Sequence, residues 1–332
     1  MSEKNKRIGI TSTIPVEVIL SANCIPIDLN NIFIAGENPQ QIVTRAEELG
    51  YPRSLCAWIK GIYATVVEKK PVDLVVIITQ GDCSNTLSMM ETFKIRGIPT
   101  LTFDYPYDRN REKLKREIEK FAKAFETTID AAEKVREKLI PIRQKLVTLD
   151  RLTYEEFLVT GLENHLWLVS ASDFRSDTEK FEEELDNFLG EVTRRNPAPP
   201  EIRLGLIGVP PIIPDLYEYI EKKSARVIFN EMQRQFAMPS LSDNLIEQYL
   251  SYTYPYDIFH RIDAIQPEIE KRKLQGIIHY VQSFCHRQIE DIIFRKKLQI
   301  PILTIEGDRP SPIDERIKIR IDTFLDLISS QA

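Results

Sequence analysis

Two cysteines, Cys83 and Cys285, stand at the same place in two copies of one sequence pattern. The first copy is Asp73–Asp104, DLVVIITQGDCSNTLSMMETFKIRGIPTLTFD. The second is Gln275–Glu306, QGIIHYVQSFCHRQIEDIIFRKKLQIPILTIE, and it aligns without a gap at an offset of 202 residues. Gln80 falls on Gln282, Ile98-Pro99 on Ile300-Pro301, Leu101-Thr102 on Leu303-Thr304, and an acid closes each copy. A third cysteine, Cys56, has no counterpart in the second half, and a fourth, Cys24, lies near the start. Three thiolates brought together from two halves are soft ligands for a metal centre. A zinc site ordinarily takes four nitrogen or sulfur ligands at short local spacing, and no C-x2-C occurs here. Three cysteines with one open position suit a [4Fe–4S] cluster that binds something at its fourth iron. The alternative is inert packing: free cysteine is among the most buried residue types, and one cysteine at a time that is the commoner outcome. Two cysteines at one topological position count against it.

The elements that must position these thiols follow from the same copies. A continuous apolar run, Leu74–Ile78 or Ile277–Val281, reads as a strand buried on both faces. A short turn ends in Cys, a helix of about four turns follows, and a second apolar strand comes after Ile-Pro. The cysteine then sits past the carboxyl end of a parallel strand, where ligands bind in open α/β sheets. It also sits at the amino end of a helix, which favours a thiolate.

The rest of the chain extends this plan. Arg7–Thr11 and Ile25–Leu29 read as strands, with Val16–Ala22 a short helix between them. Helices follow from Asn38 to Leu49 and over Arg53–Glu68, with Cys56 in the first turn of the latter. Arg109–Leu139 has the apolar spacing of one long helix that Pro141 ends or kinks. Two more helical patterns, Tyr154–Thr160 and Asp177–Leu189, complete a block without strand signals. Asn196-Pro197-Ala198-Pro199-Pro200 is a linker. Beyond it Arg203–Leu206 echoes Arg7–Ile10, and helices at Pro210–Lys222 and Pro312–Ile328 flank the second copy. The reading is α/β: two Rossmann-like, flavodoxin-like parallel-sheet domains of similar plan with helical insertions. It divides the chain into 1–108 with Cys56 and Cys83, a helical insert at 109–196, and 197–332 with Cys285.

The 332 residues, 42% hydrophobic and 28% charged, suit a globular protein with two cores. A net charge of −6 gives no nucleic-acid footprint. The opening MSEKNKRIGI lacks an apolar signal region, and no apolar run is long enough for a membrane. A cytoplasmic protein with reduced thiols is expected. Abundant Ile, Lys and Glu with 12 Gly lean towards a thermophile.

Five stretches together resemble the 2-hydroxyacyl-CoA dehydratase and benzoyl-CoA reductase subunit family. They are GITSTIPVEVILSANCIPIDL, RSLCAWIKG, DLVVIITQGDCSN, GIIHYVQSFCHRQIEDIIFRKKLQIPILTIEGD and IRIDTFLDLI, and they reach from residue 7 to 328. The resemblance implies two α/β domains and a [4Fe–4S] cluster held in the cleft by Cys56, Cys83 and Cys285. It implies a homologous partner subunit or a homodimer, and a separate ATP-hydrolysing activator that injects one electron. The activity implied is that of a lyase, dehydrating an acyl-CoA through a ketyl radical of the thioester, or of an oxidoreductase that reduces an aromatic ring. A cluster-carrying electron-transfer or accessory protein of the same fold is the alternative. The family's segment around Ser12, Thr13 and Glu17 lies beside the cleft. There a hydroxyl can bond the thioester oxygen and a carboxylate can move a proton, although Ser12 and Thr13 also suit a helix cap and Glu17 its dipole. Cys24 is a core thiol or a further ligand. His286 tunes the cluster by a hydrogen bond or is an ordinary surface histidine. Trp58 and Tyr249–Tyr256 read as core. DRPSPIDERIKIRID lacks the Gly-Gln that usually precedes a Thr-Arg pair in the family, which bears on the acyl-CoA site. There is no Gly-rich nucleotide loop, so ATP belongs to another protein.

Overall fold

The computed structural model describes residues 5–330. Among them are two four-stranded sheets, both wholly parallel. The first contains β1 (Arg7–Ile10), β2 (Ile25–Asp28), β3 (Leu74–Gln80) and β4 (Thr100–Asp104), in the order β2-β1-β3-β4. The second contains β5 (Ile202–Gly208), β6 (Ala225–Asn230), β7 (Gly276–Gln282) and β8 (Ile302–Gly307), in the order β6-β5-β7-β8. The two orders are the same once renumbered, and both match the flavodoxin-like plan, with the strand order reversing between the first and third strands of each half. β7 is buried along its whole length and β3 through its middle, as continuous apolar runs between helical layers require.

Four elements differ from the sequence reading, each for a local reason. The expected helix from Arg109 to Leu139 is two helices, Arg111–Ala124 and Ile129–Tyr154. Glu126 takes a left-handed conformation (φ 55°), and Thr128 caps the second helix by accepting from Ala131 N–H. Pro141 does not stop that helix, which runs through it for 26 residues. The pattern at Tyr154–Thr160 is not helical. Thr160 instead forms a capping box with Glu163 and starts the helix Gly161–Ser170. In the second repeat copy, the four-turn helix is replaced by a 3-10 stretch, His286–Glu290, and a short helix, Asp291–Lys297. There Arg287 donates to Tyr254 O, Gln288 to Gln282 O, and Glu290 accepts from Arg261, so tertiary bonds hold a turn tighter than an α-helix.

The helix Ile129–Tyr154 ties the two halves. On one side Arg143 reaches the buried Glu17 at 2.5 Å, and on the other Asp150 takes Arg272 from the helix that precedes β7. These charges are almost fully buried, so each is tolerable only because its partner is present.

Candidate functional site

All three cysteines of the sequence reading stand at the amino ends of helices. Cys56 precedes Ala57–Lys69, Cys83 precedes Ser84–Ile95, and Cys285 precedes His286–Glu290. Each is in the capping position itself, with extended ψ of 132°, 153° and 133°. Cys56 thus lies just before its helix rather than in the first turn. At several other helix starts the cap is Asp, Asn or Thr and its oxygen accepts a backbone N–H, as at Asp28, Asn110, Thr128 and Asp257. None of the three cysteines closes such a bond. The N–H groups of Trp58 and Ile59 still face the Cys56 sulfur, those of Asn85 and Thr86 the Cys83 sulfur, and that of Arg287 the Cys285 sulfur. A thiol at this position gives up about 0.5–2 kcal/mol of capping and leaves oriented N–H dipoles for a negative sulfur.

The turns that deliver the repeat pair differ. Gly81 has φ 99°, and a Cβ there would meet Pro255 and Tyr105 at 2.8 Å, so the position requires glycine. Asp82 then accepts the Cys83 N–H at 2.8 Å. In the second half Phe284 takes the left-handed conformation (φ 64°), and Cys285 N–H bonds to Gln282 O.

Cys56, Cys83 and Cys285 line one cavity of about 140 Å3 between the two halves. Its floor is formed by the ends of β1 and β3 from one sheet and β5 and β7 from the other, through Ser12, Asp82, Val209 and Gln282. The strand-order reversal points of both sheets therefore open on the same space, which is where a doubly wound sheet binds ligand.

Burial decides the charge state of the thiols. It pushes Cys56 up to about 12, with the nearby Cys285 and Cys83 adding to the rise. Burial also raises Cys83, with Asp82 contributing, and raises Cys285 against the pull of Arg287 and its N–H. The helix ends favour thiolates, but desolvation outweighs them, so the thiols stay protonated until a cation offsets the charge. Among the described residues no three His, Cys, Asp or Glu groups are placed to hold a single metal ion.

The remaining residues from the sequence reading separate clearly. Ser12 and His286 line the cavity. Glu17 does not: it is fully buried, accepting from Arg143, Gln248 Nε2 at 2.7 Å and Tyr249 Oη at 2.8 Å. Burial pushes its carboxyl up, and Arg143 reverses that and holds it below the usual range. Cys24 packs in the first core with its sulfur 3.8 Å from Ala22 O and is outside the cavity lining. Tyr249, Tyr252 and Tyr256 are core, whereas Trp58 and Tyr254 reach the cavity. Asp28, at the end of β2, and His165 also line it, and neither carried a sequence signal beyond its strand-end or helical position.

Fold and site define a double parallel α/β protein with thiols from both halves at the facing strand ends. The 2-hydroxyglutaryl-CoA dehydratase D-component family matches residues 11–328, and the chain belongs to that family. It is a 2-hydroxyacyl-CoA dehydratase-like subunit. No curated protein matches it. One solved structure it is similar to is the SBP FpvC from Pseudomonas aeruginosa in complex with Mn2+, at 13% identity over 99% of this chain and 100% of that one. The TM-score of 0.24 is too low for that likeness to bear on the fold. No helix among the described residues is long and apolar enough to cross a membrane.

Proposed function

We propose that the chain is the iron–sulfur subunit of an acyl-CoA dehydratase or reductase, with Cys56, Cys83 and Cys285 holding a [4Fe–4S] cluster. The observation that carries this reading is the convergence of three uncapped helix-start thiols, two from one half and one from the other, on a single cavity. The donor set fits the group. Three soft sulfurs surround a space that admits about ten water-sized groups at roughly 10–15 Å3 each. Such a cluster stores an electron and offers a Lewis-acidic iron to a substrate oxygen.

The protein's own groups do the rest. Ser12 and the Thr13 hydroxyl lie at the end of β1 on the cavity wall, positioned to bond a thioester oxygen. The Arg287 guanidinium stacks on Tyr254 at 4.4 Å and pairs with Glu290 at 2.8 Å, which fixes the Cys285 turn. His286 lines the cavity, and burial and Arg287 hold its imidazole below the usual value. Leu87, Phe284, Ile289 and Ile292 remain exposed beside Cys83 and Cys285, which supports assembly with a partner subunit or a second copy over this edge. The electron would come from a separate ATP-hydrolysing activator.

Anaerobic purification followed by iron, sulfide and electron paramagnetic resonance measurements tests the cluster. Addition of 2-hydroxyacyl-CoA thioesters to the reduced protein tests the chemistry. A spectrum unchanged across a broad acyl-CoA panel would favour an electron carrier of the same fold.

A further inference from the structure

On the side wall of the cavity lies Asp28, half of an acid pair that has no cation beside it among the described residues. Asp28 is 5% exposed and ends β2, and Asp173 is 5% exposed and lies behind it. The Asp28 backbone N–H donates to Asp173 Oδ2 at 2.7 Å. Asp28 Oδ1 accepts from Asn30 N–H at 2.8 Å and from Asn30 Nδ2 at 3.0 Å, and Oδ2 lies 2.6 Å from Ser172 Oγ. Each element packed here offers neutral groups. Asn30 and Asn31 come from the helix Leu29–Ile34. From the helix Gly161–Ser170 comes His165, whose imidazole burial holds down at about 4. Arg175 turns its guanidinium to Glu184 at 2.7 Å and over Trp167 at 4.4 Å, giving Asp173 only a backbone N–H at 3.0 Å.

A second, independent feature marks this wall as a ligand surface. Thr13 is 3% exposed and lines the same cavity, yet its Oγ1 has no hydrogen-bond partner. The Trp58 indole N–H, also on the lining, has none either. The Tyr252 hydroxyl lies near Thr13 and Ser12 without closing a bond. Buried donors and hydroxyls left open cost about 1–3 kcal/mol each unless something polar meets them.

We propose that Asp28 is the proton donor of this cavity and that Asp173 is the positioning residue that keeps the proton on it. This rests on the acyl-CoA reading for the identity of the acceptor, an oxygen of the bound substrate. Two carboxyls that share a buried space without a counter-charge cannot both ionise. Burial, with Asp28 adjacent, pushes Asp173 up to about 7, and burial also raises Asp28. In the protonated form proposed here, the 2.6 Å contact that Ser172 Oγ otherwise donates to Asp28 Oδ2 reverses, Asp28 Oδ2 donating to Ser172 Oγ while that hydroxyl donates to Val169 O at 2.9 Å. In dehydration the C2–O bond of the thioester, already reduced by the one activator electron of the proposed function, breaks with its electron pair on the leaving oxygen. That oxygen takes the Asp28 proton and departs as water. The ketyl electrons spread over C2, C1 and the carbonyl oxygen of the neutral radical that remains, which loses its C3 proton afterwards. The carboxylate left behind is met by the Ser172 hydroxyl, which turns round, and by Asn30 N–H and Nδ2, until solvent restores the proton. The step takes up and releases no electron.

Asp28→Asn and Asp173→Asn in the full chain test the proposal; both are isosteric, and the amide in Asp173→Asn keeps one of the two backbone N–H bonds that Asp173 accepts, from Asp28 or from Arg175. The first readout, independent of any substrate, is the protonated-carboxyl C=O stretch in infrared difference spectra near neutral pH. Wild type should show it, and Asp28→Asn should remove it. A wild-type spectrum without that band, or a band unchanged in both variants, overturns the proposal whatever the protein acts on. The second readout is the pH–rate profile with a 2-hydroxyacyl-CoA that wild type turns over. Asp28→Asn should lower kcat by about 10²–10⁴-fold with little change in KM. Asp173→Asn should move the alkaline limb to lower pH, because removing the neighbouring carboxyl makes Asp28 easier to ionise. A limb that stays in place overturns the role given to Asp173. Failure of wild type to turn over any such thioester would instead count against the proposed function, leaving the infrared result to decide the acid pair.

Discussion

The two halves share one sheet plan and differ in how they present sulfur. Each places a cysteine past its third strand, Cys83 after β3 and Cys285 after β7. In each, the helix before that strand ends on a left-handed lysine, Lys70 with φ 45° and Lys273 with φ 53°. The starts of those two helices are not alike. In the first half the cap is Cys56, with no side-chain bond to its helix; in the second it is Asp257, which accepts from Phe259 N–H at 2.8 Å and His260 N–H at 3.2 Å. At equivalent positions, one half keeps a well-capped helix and the other gives the cap up for a thiol. The Cys285 turn is instead fixed by buried charge, since Arg261 is fully buried and binds both Glu231 and Glu290. The proposed centre would be lopsided, with two ligands from the first half and one from the second.

The largest expected effect follows from that asymmetry. Cys285 is the second half's only cysteine, so Cys285→Ala should abolish the metal-dependent link between halves. A ligand that binds only the native state stabilises it by mass action. The metal-loaded wild type should therefore melt higher than its chelated form and resist proteolysis near residues 196–200, and Cys285→Ala should behave like the chelated form. Cys56→Ala should retain part of the difference, because Cys83 and Cys285 still span the cleft. Equal melting and cleavage with and without iron would reject the bridging role.

A second variant probes the charged support of the Cys285 turn. Arg261→Ala leaves Glu231 and Glu290 without their buried partner and should cost about 3–5 kcal/mol, read as a lower urea midpoint. In the first half the corresponding helix position is Lys60, also fully buried, which pairs with Glu47 at 2.8 Å and donates to Arg53 O at 3.0 Å ahead of Cys56.

Glu17 makes a test in the other half. Its carboxyl is held below the ordinary value of 4.5 in the folded state. A depressed carboxyl adds stability that is present above the unfolded value and is lost as pH falls through the folded one. Wild type should therefore lose stability on acidification below about 4.5. Glu17→Gln should be less stable at neutral pH, where Arg143 is left unpaired, and should lose less on acidification. Parallel pH curves for the two proteins would show that the pair does not set this behaviour.

The smallest effect sharpens the cap comparison. Cys56→Ser supplies an oxygen where the Trp58 and Ile59 N–H groups already point, so the metal-free protein should gain about 0.5–1 kcal/mol while iron binding falls. Asp257→Ala should lose about 1 kcal/mol and keep its iron. If both substitutions shifted iron equally, the distinction between the two helix starts would be empty.

Much of this was readable from the chain because buried parallel strands write themselves as apolar runs, and a run repeated at an offset of 202 residues exposes two equivalent strand ends. Cys83 and Cys285 were legible for that reason. Cys56 was legible as a thiol near a helix start but not as a cap, since capping depends on the backbone of one residue. The break at Glu126 was hidden because the apolar spacing continues across it. Asp28 gave no signal: an acid ending a four-residue strand is ordinary until Ser172 and Asp173, more than 140 residues away, fold against it. Glu17 gave the opposite signal, an acid at a strand–helix junction beside the cleft. Its true surroundings, Arg143, Gln248 and Tyr249, come from two distant helices.

The central claim is that three helix-start cysteines from two halves hold one cluster, and iron and acid-labile sulfide per chain after anaerobic reconstitution test it most directly. The account predicts about four of each, a reduced-state paramagnetic signal, and loss of both in the Cys83→Ala and Cys285→Ala variants with retention in Cys24→Ala. Iron well below one per chain in wild type, or a full complement in Cys285→Ala, would contradict it.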